Sequence, residues 1–324
     1  MIFDLPDTGT REIARQLVAI RETGTQVATG RVLTLIVVAN ADDDIEQLVD
    51  CLTVATREHP SRVLLLIADG TNGDTESRLD AQIRMGGDAG AAEIVVLRLQ
   101  GEVADHMAAV ATPLLLPDTP IVAWWPSIAP MNPAVDPIGH IAQRRITDAR
   151  FDPPEDSIYR RRTQYTPGDS DMAWARITPW RGIVAASLNQ PPYKKIIDAV
   201  VHGPADSPSA DLAAGWLADR LDVNIVREST PQDMIPRDES GNECLPVLRV
   251  DLIRDDNSTI TITVRDSQTL AVQVPGHTEA LVALGPRSTA DCLAEELRHL
   301  DPDRAYARAL RGLSRVRYVD AFEH

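Results

Sequence analysis

Four runs of apolar residues, at 33–39, 63–68, 94–99 and 121–125, pass without alternating polar positions. A strand with one wet face alternates with period two, so an unbroken run predicts a strand covered on both faces, the environment of a parallel sheet. Ahead of the first run, Ile13, Leu17 and Ile20 mark one face of a short helix. Between the first two runs, Ile45, Leu48, Val49 and Leu52 recur at helical spacing behind Asp42, Asp43 and Asp44. Carboxylates at that place suit a helix start, where the dipole favours negative charge. Strand, helix, strand is the order of an α/β layer structure.

The second half reads differently. After a strand-like stretch at 196–201, Ser209 is placed to cap a helix bearing Leu212, Trp216, Leu217 and Leu221. Leu248, Val250 and Leu252, then Ile260, Ile262 and Val264, then Leu270, Val272 and Val274 alternate with polar residues, and short polar turns separate the three sets. That pattern predicts an antiparallel meander with one face buried. Ser288 with Asp291 predicts a capping box ahead of Leu293, Leu297 and Leu300, and Asp301-Pro302 predicts the start of a last helix. At 324 residues the chain exceeds the size at which one core keeps growing. The expected fold class is α/β, with an N-terminal mostly parallel-sheet α/β domain at 1–150. A C-terminal mixed α+β domain with an antiparallel meander takes 151–324, the boundary falling in the proline-rich and charged stretch 126–168.

Composition and motifs exclude most chemistry. A formal net charge of −16 repels nucleic acid and anionic membranes alike. The first residues carry no basic leader, and no apolar run approaches the ~20 residues of a membrane span, so the expected location is the cytoplasm. Cys51, Cys244 and Cys292 are widely spaced and form no CxxC pair, which predicts reduced thiols and neither a disulfide framework nor a structural zinc site. The turn after the first strand offers Asn40, Ala41 and three aspartates where a dinucleotide fold needs glycines; carboxylates there would repel a pyrophosphate. The glycine-rich 86–90 lacks the ending of a phosphate-binding loop, and the seven histidines show no metal-ligand pairing. No G-x-S-x-G elbow occurs. The expectation is a protein that binds and is not an enzyme, without cofactor or metal.

Residues 165–181, YTPGDSDMAWARITPWR, carry the strongest functional signal. Trp and Arg anchor interfaces because they bring large area or fixed donors at modest entropic cost. Four of the five tryptophans fall between Trp124 and Trp180, a concentration that a chain with 4% aromatics must use for something. Two readings stand side by side. In one, Trp174 and Trp180 are core on an amphipathic helix, Pro167-Gly168 is a type II turn, and Asp169 or Asp171 caps a helix. In the other, Tyr165, Asp169, Asp171, Trp174, Arg176, Trp180 and Arg181 contact a partner, joined by Arg160, Arg161 and Arg162, whose local field opposes that of an acidic chain. The alternative for the three arginines is a solvated linker or a neutralising patch.

The same segment, with Tyr165-Thr166-Pro167-Gly168-Asp169-Ser170-Asp171-Met172-Ala173-Trp174, Arg176 and Thr178-Pro179-Trp180-Arg181, resembles the central signature of the OpcA-type glucose-6-phosphate dehydrogenase assembly proteins. Residues 1–8, 30–35 and 294–303 are similar to that family's opening, first strand and closing helix, so the resemblance spans nearly the whole chain. Ser170 departs from the family's Thr, a conservative change. The resemblance implies an accessory protein that binds glucose-6-phosphate dehydrogenase and promotes its assembly or allosteric activation, serving the oxidative pentose phosphate pathway and NADPH supply. A reading from another class is a small-molecule sensor or enzyme with a pocket between the two domains.

Overall fold

Each of the four apolar runs is a strand of one eight-stranded sheet. The computed structural model describes residues 1–22, 32–69, 76–85, 93–153, 157–235, 237 and 245–319; Cys244 and the glycine-rich 86–90 lie outside them. The strands are β1 (Ile2–Leu5), β2 (Leu33–Asn40), β3 (Ser61–Asp69), β4 (Arg78–Met85), β5 (Glu93–Gln100), β6 (Ile121–Trp124), β7 (Arg144–Thr147) and β8 (Asp169–Asp171). Their order is β1-β4-β5-β3-β2-β6-β7-β8. From β5 to β8 every neighbour runs parallel. β4 and β1 extend the sheet antiparallel. These two strands are not among the sequence expectations; β4 alternates, with polar Arg78, Asp80, Gln82 and Arg84 at every second position.

Cover on both faces explains the unbroken runs. Val63, Leu64, Leu65, Leu66 and Ile67 of β3 are all fully buried, odd and even positions alike. Leu64 and Leu66 share a core with Ile36, Val95, Leu97 and the Ile13–Leu17–Ile20 stripe of helix Thr10–Glu22. The crossover from β2 to β3 is helix Ile45–Ala55, which buries Ile45, Val49, Leu52 and Ala55. Asp44 caps it, accepting from the Gln47 N–H at 3.0 Å. Asp43 accepts from the Asn40 N–H at 2.7 Å and the Ser127 hydroxyl at 2.9 Å, so of the acidic triplet Asp44 caps the helix and Asp43 braces the turn before it. Each buried Leu or Ile on these strands contributes on the order of 1.5–3 kcal/mol.

A second sheet holds β9 (Ile196–Gly203), β10 (Ile225–Ser229), β11 (Arg249–Arg254), β12 (Thr259–Asp266), β13 (Thr269–Gln273), β14 (Ala280–Ala283) and β15 (Val316–Val319), in the order β14-β13-β12-β11-β9-β10-β15. β11 to β14 form the antiparallel meander, while β10 lies parallel to both β9 and β15. Two helix starts differ from expectation. Ser207, not Ser209, caps helix Pro208–Leu221, and the Ser209 hydroxyl donates to the Ala173 carbonyl at 2.8 Å. Asp303, not Asp301, caps helix Arg304–Gly312, accepting from the N–H groups of Ala305 and Tyr306 at 2.7 and 3.0 Å. Both shifts reflect a choice between neighbouring oxygen side chains that only the incoming backbone decides.

The described chain forms two compact units. One comprises Met1–Asp152, Thr166–Met172 and Thr289–Pro302; the other comprises Pro153–Tyr165, Ala173–Ser288 and Asp303–His324. Within the second, helices Pro208–Leu221 and Arg304–Gly312 meet backbone to backbone through glycine: a Cβ on Gly215 would stand 2.3 Å from the Ala309 carbonyl oxygen. Gly215→Ala is therefore expected to cost about 1–3 kcal/mol from overpacking, against a helix-propensity gain of about 1 kcal/mol. Gly182, exposed on helix Thr178–Leu188 with open space around it, should show only the gain when changed to Ala. Urea unfolding of the two variants measures the contrast, and equal shifts of the same sign would refute it.

Candidate functional site

The signature 165–181 divides between the units, and its two parts are built differently. Its first part opens with a tight turn. Pro167 sets one backbone angle, Gly168 takes φ +102°, and the Asp169 N–H donates to the Thr166 carbonyl at 2.9 Å. Those are the marks of the expected type II turn. Buried Arg145 of β7 clamps it: Nε donates to Asp169 at 2.5 Å, Nη2 to the Pro167 carbonyl at 2.8 Å and Nη1 to the Ala142 carbonyl at 2.9 Å. A Cβ on Gly168 would stand 2.4 Å from the Gln143 carbonyl oxygen, so only glycine fits.

Asp171 directly precedes helix Met172–Arg176. Asp169 and Asp171 both lie on β8, the last strand of the sheet, and both are buried. Asp169 also accepts from the Thr166 N–H at 2.7 Å, and Asp171 accepts from the Thr147 hydroxyl at 2.6 Å and the Ala149 N–H at 3.1 Å. Nearby, Arg144 pairs with Glu296 inside the same unit, again with both side chains buried. Leaving either partner alone would bury an uncompensated charge, at a cost of about 3–5 kcal/mol.

The second part is core. Trp174 is 1% exposed and Trp180 4%. The Trp174 indole donates to Asp303 at 2.8 Å, so one carboxylate serves both the indole and the helix N-terminus. The Arg181 guanidinium lies over the Trp174 ring, 3.5 Å from its centroid, a cation–π contact, and Arg181 donates to the Thr178 hydroxyl at 2.6 Å. Tyr306 lies 6.0 Å from Trp174 and 6.1 Å from Tyr165 between ring centroids, and Trp180 meets Trp216 edge to face at 6.1 Å. Arg287 donates to the Ala175 carbonyl at 2.7 Å. Trp124 and Trp125 are buried as well.

The arginine run is not an extended linker. It sits on helix Ser157–Gln164, where Arg161 is buried and Arg160 and Arg162 are half-buried. Tyr165, Arg176 and Arg181 are half-buried too. The second unit thus gathers Arg160, Arg162, Tyr165, Arg176 and Arg181 as residues with exposed atoms, around indoles that are internal. Tyr159 of the same helix meets Tyr318 of β15 at a tilt of 56°, 6.0 Å between ring centroids, and Tyr318 hydrogen-bonds Asp211. Asp211 also accepts from Arg227 at 3.0 Å. Nothing in the sequence pattern pointed to this network, whose members lie on four separate elements.

No described group of three or more His, Cys, Asp or Glu residues could hold a metal ion. Cys51 and Cys292 form no disulfide among the described residues, and burial, with Cys292 and Asp291 adding to it, pushes the Cys51 thiol up to about 12. At neutral pH it is protonated and a poor nucleophile. No described helix is long and apolar enough to cross a membrane.

Comparison with known proteins adds the family. Residues 52–163 match the family model for the N-terminal domain of a glucose-6-phosphate dehydrogenase subunit, and residues 167–310 match the model for its C-terminal domain. No curated protein matches the chain. A solved structure described as "Trehalose-6-phosphate from E. coli bound with UDP-2-fluoro glucose" aligns with 65% of this chain and 66% of its own at 9% identity, TM-score 0.24. The "OtsA apo structure" aligns with 61% and 65% at 9% identity, TM-score 0.25. The chain spans just under two thirds of the length of these structures, and likenesses at this level carry no argument.

Two outcomes are expected. Trp180→Ala should lower stability by about 3–5 kcal/mol, the cost of removing a buried indole, seen as a lower urea midpoint; an unchanged midpoint would put the side chain outside the core. Burial raises Asp211 from 3.8 to about 6, with Arg227 opposing. A raised carboxyl favours the folded state fully below pH 4 and loses that contribution as pH rises through 6. Asp211→Asn should therefore gain stability relative to the parent, on the order of 2 kcal/mol, between pH 4 and 7. Parallel pH profiles for the two proteins would contradict this.

Proposed function

The chain belongs to the OpcA family of glucose-6-phosphate dehydrogenase assembly proteins, and from that membership we propose that it acts by binding the dehydrogenase and shifting it toward its active conformation or assembly. The observation that carries the reading is the pair of family models, one on each half of the chain. Free energy for the shift comes from differential affinity: an accessory chain changes an equilibrium only by as much as it binds one state better than the other. No reaction by this chain is required. Its service is to the oxidative pentose phosphate pathway and NADPH supply, in the cytoplasm.

For the contact we propose the half-exposed border of the signature in the second unit, with Arg160, Arg162, Tyr165, Arg176 and Arg181 meeting the partner. The buried aromatic rings support this surface from behind: Arg181 lies over Trp174 and Tyr165 stands against Tyr306. Guanidiniums fixed in this way lose little entropy on meeting a carboxylate. The acidic balance of the chain then steers wrong partners away while a local basic border admits the right one.

The test mixes the purified chain with the dehydrogenase of the same cell and follows both complex formation and NADPH production. A saturable complex and a changed rate are expected; neither binding nor any rate change would end the proposal. Arg160→Ala with Arg162→Ala should weaken the complex about tenfold and leave the urea midpoint within ~0.5 kcal/mol of the parent.

A further inference from the structure

The first sheet is covered unevenly. On one face β4 and β5 bury Leu79, Ile83, Val95 and Leu97 in the core shared with helix Thr10–Glu22. On the other, their alternation presents Arg78, Asp80, Gln82, Arg84, Val96 and Arg98, beside Asp4 of β1 and Glu46 in the first turn of helix Ile45–Ala55. These residues line a groove of about 350 Å³, within the range of small-molecule sites.

Charges inside the groove form two ion pairs and leave two charged groups, Arg98 and Asp4, outside them. Arg84 forks onto Glu46, Nη1 to Oε2 at 2.7 Å and Nη2 to Oε1 at 2.6 Å. Arg78 reaches Asp80 Oδ1 from Nε at 2.9 Å and Nη2 at 2.8 Å, and Gln82 donates to Asp4 at 2.7 Å. Arg98, exposed on β5 and opposite Asp80 in register, makes no hydrogen bond or ion pair among the described residues. Its charge is nevertheless felt there. Hydrogen bonds from Arg84 and Arg78 hold the Glu46 and Asp80 carboxyls below their ordinary values, and the Arg98 field adds to both.

The groove therefore sets three guanidiniums against three carboxylates, formally neutral in a chain of net charge −16. Every carboxylate already accepts from a donor. The cation left over is a guanidinium, whose planar fork fits a phosphate or carboxylate, and the carboxylate left over, Asp4, meets only the neutral Gln82 amide. A bare anion would meet Asp80 and Glu46 at close range and be repelled. Carboxylate oxygens keep lone pairs to spare, however, and these turn attractive toward hydroxyl donors.

We propose that this groove binds a small anionic polyol, a phosphate or carboxylate on a hydroxylated carbon chain, with the anion on Arg98 and the hydroxyls on Asp4, Asp80 and Glu46. The site lies wholly in the first unit and goes beyond the dehydrogenase-binding reading, on which it does not rest. Calorimetric titration of the full chain with ribose 5-phosphate, gluconate, inorganic phosphate and ribose tests it. Saturable binding of ribose 5-phosphate or gluconate is expected, and the tighter of the two tells phosphate from carboxylate. Inorganic phosphate and ribose should each bind at least about tenfold more weakly, and Arg98→Ala should lose about tenfold or more with an unchanged thermal melt, the worth of hydrogen bonds to a charged group. Arg98→Lys should fall between. No binding of either polyol anion, equal binding by the Arg98→Ala chain, or inorganic phosphate binding as tightly as ribose 5-phosphate would overturn the proposal.

Discussion

Burial of both faces of β2 and β3 is the constraint on which the first unit depends. Strands with no polar face cannot sit at a surface, so the chain must supply helices above and below them, and the connections between parallel strands must be long enough to carry those helices. Helix Ile45–Ala55 meets that demand between β2 and β3. Where the demand ends, the character of the sheet changes. β4 and β1 need cover on one face only, run antiparallel, and leave charged side chains on the other.

The signature segment obeys the same physics. Trp and Arg anchor interfaces because indoles exclude water over a large area and guanidiniums satisfy several acceptors at once, and a protein core rewards both properties equally. Trp174 illustrates it: its ring lies under Arg181, its N–H is matched by Asp303, and that carboxylate also holds the first turn of helix Arg304–Gly312. Asp169 and Asp171 likewise meet Arg145, Thr147 and the Ala149 N–H, so both aspartates brace the end of the sheet. The charged and aromatic groups that the segment leaves partly at the surface are Arg176, Arg181 and Tyr165.

Periodic features were legible in the sequence. The unbroken runs announced the parallel strands, the alternating sets announced β11 to β13, and Pro167-Gly168 announced a type II turn. Each depends on neighbours within a few residues. The features that escaped depend on distant partners: Arg145 meets Asp169 across 24 positions and Trp174 meets Asp303 across 129, separations that carry no local pattern. Caps fell between these cases, since Ser207 and Ser209 offer the same oxygen and only the backbone entry separates them. The charged face of β4 was missed although glycine-rich stretches at 70–74 and 86–90 flank it, because Ile83 is the one strongly strand-prone residue in its alternation of Arg, Asp, Gln and Arg with apolar residues. The arginine run was visible as charge, but not as a helix with one member buried.

The central claim is that the signature's indoles hold this protein together from inside. The most direct measurement is hydrogen–deuterium exchange of the Trp174 indole N–H in the isolated chain, followed by NMR. Held against Asp303 in a closed core, that proton is predicted to exchange only through unfolding, orders of magnitude more slowly than a free indole. Exchange at the rate of an exposed indole, in a chain that is otherwise folded, would contradict the account.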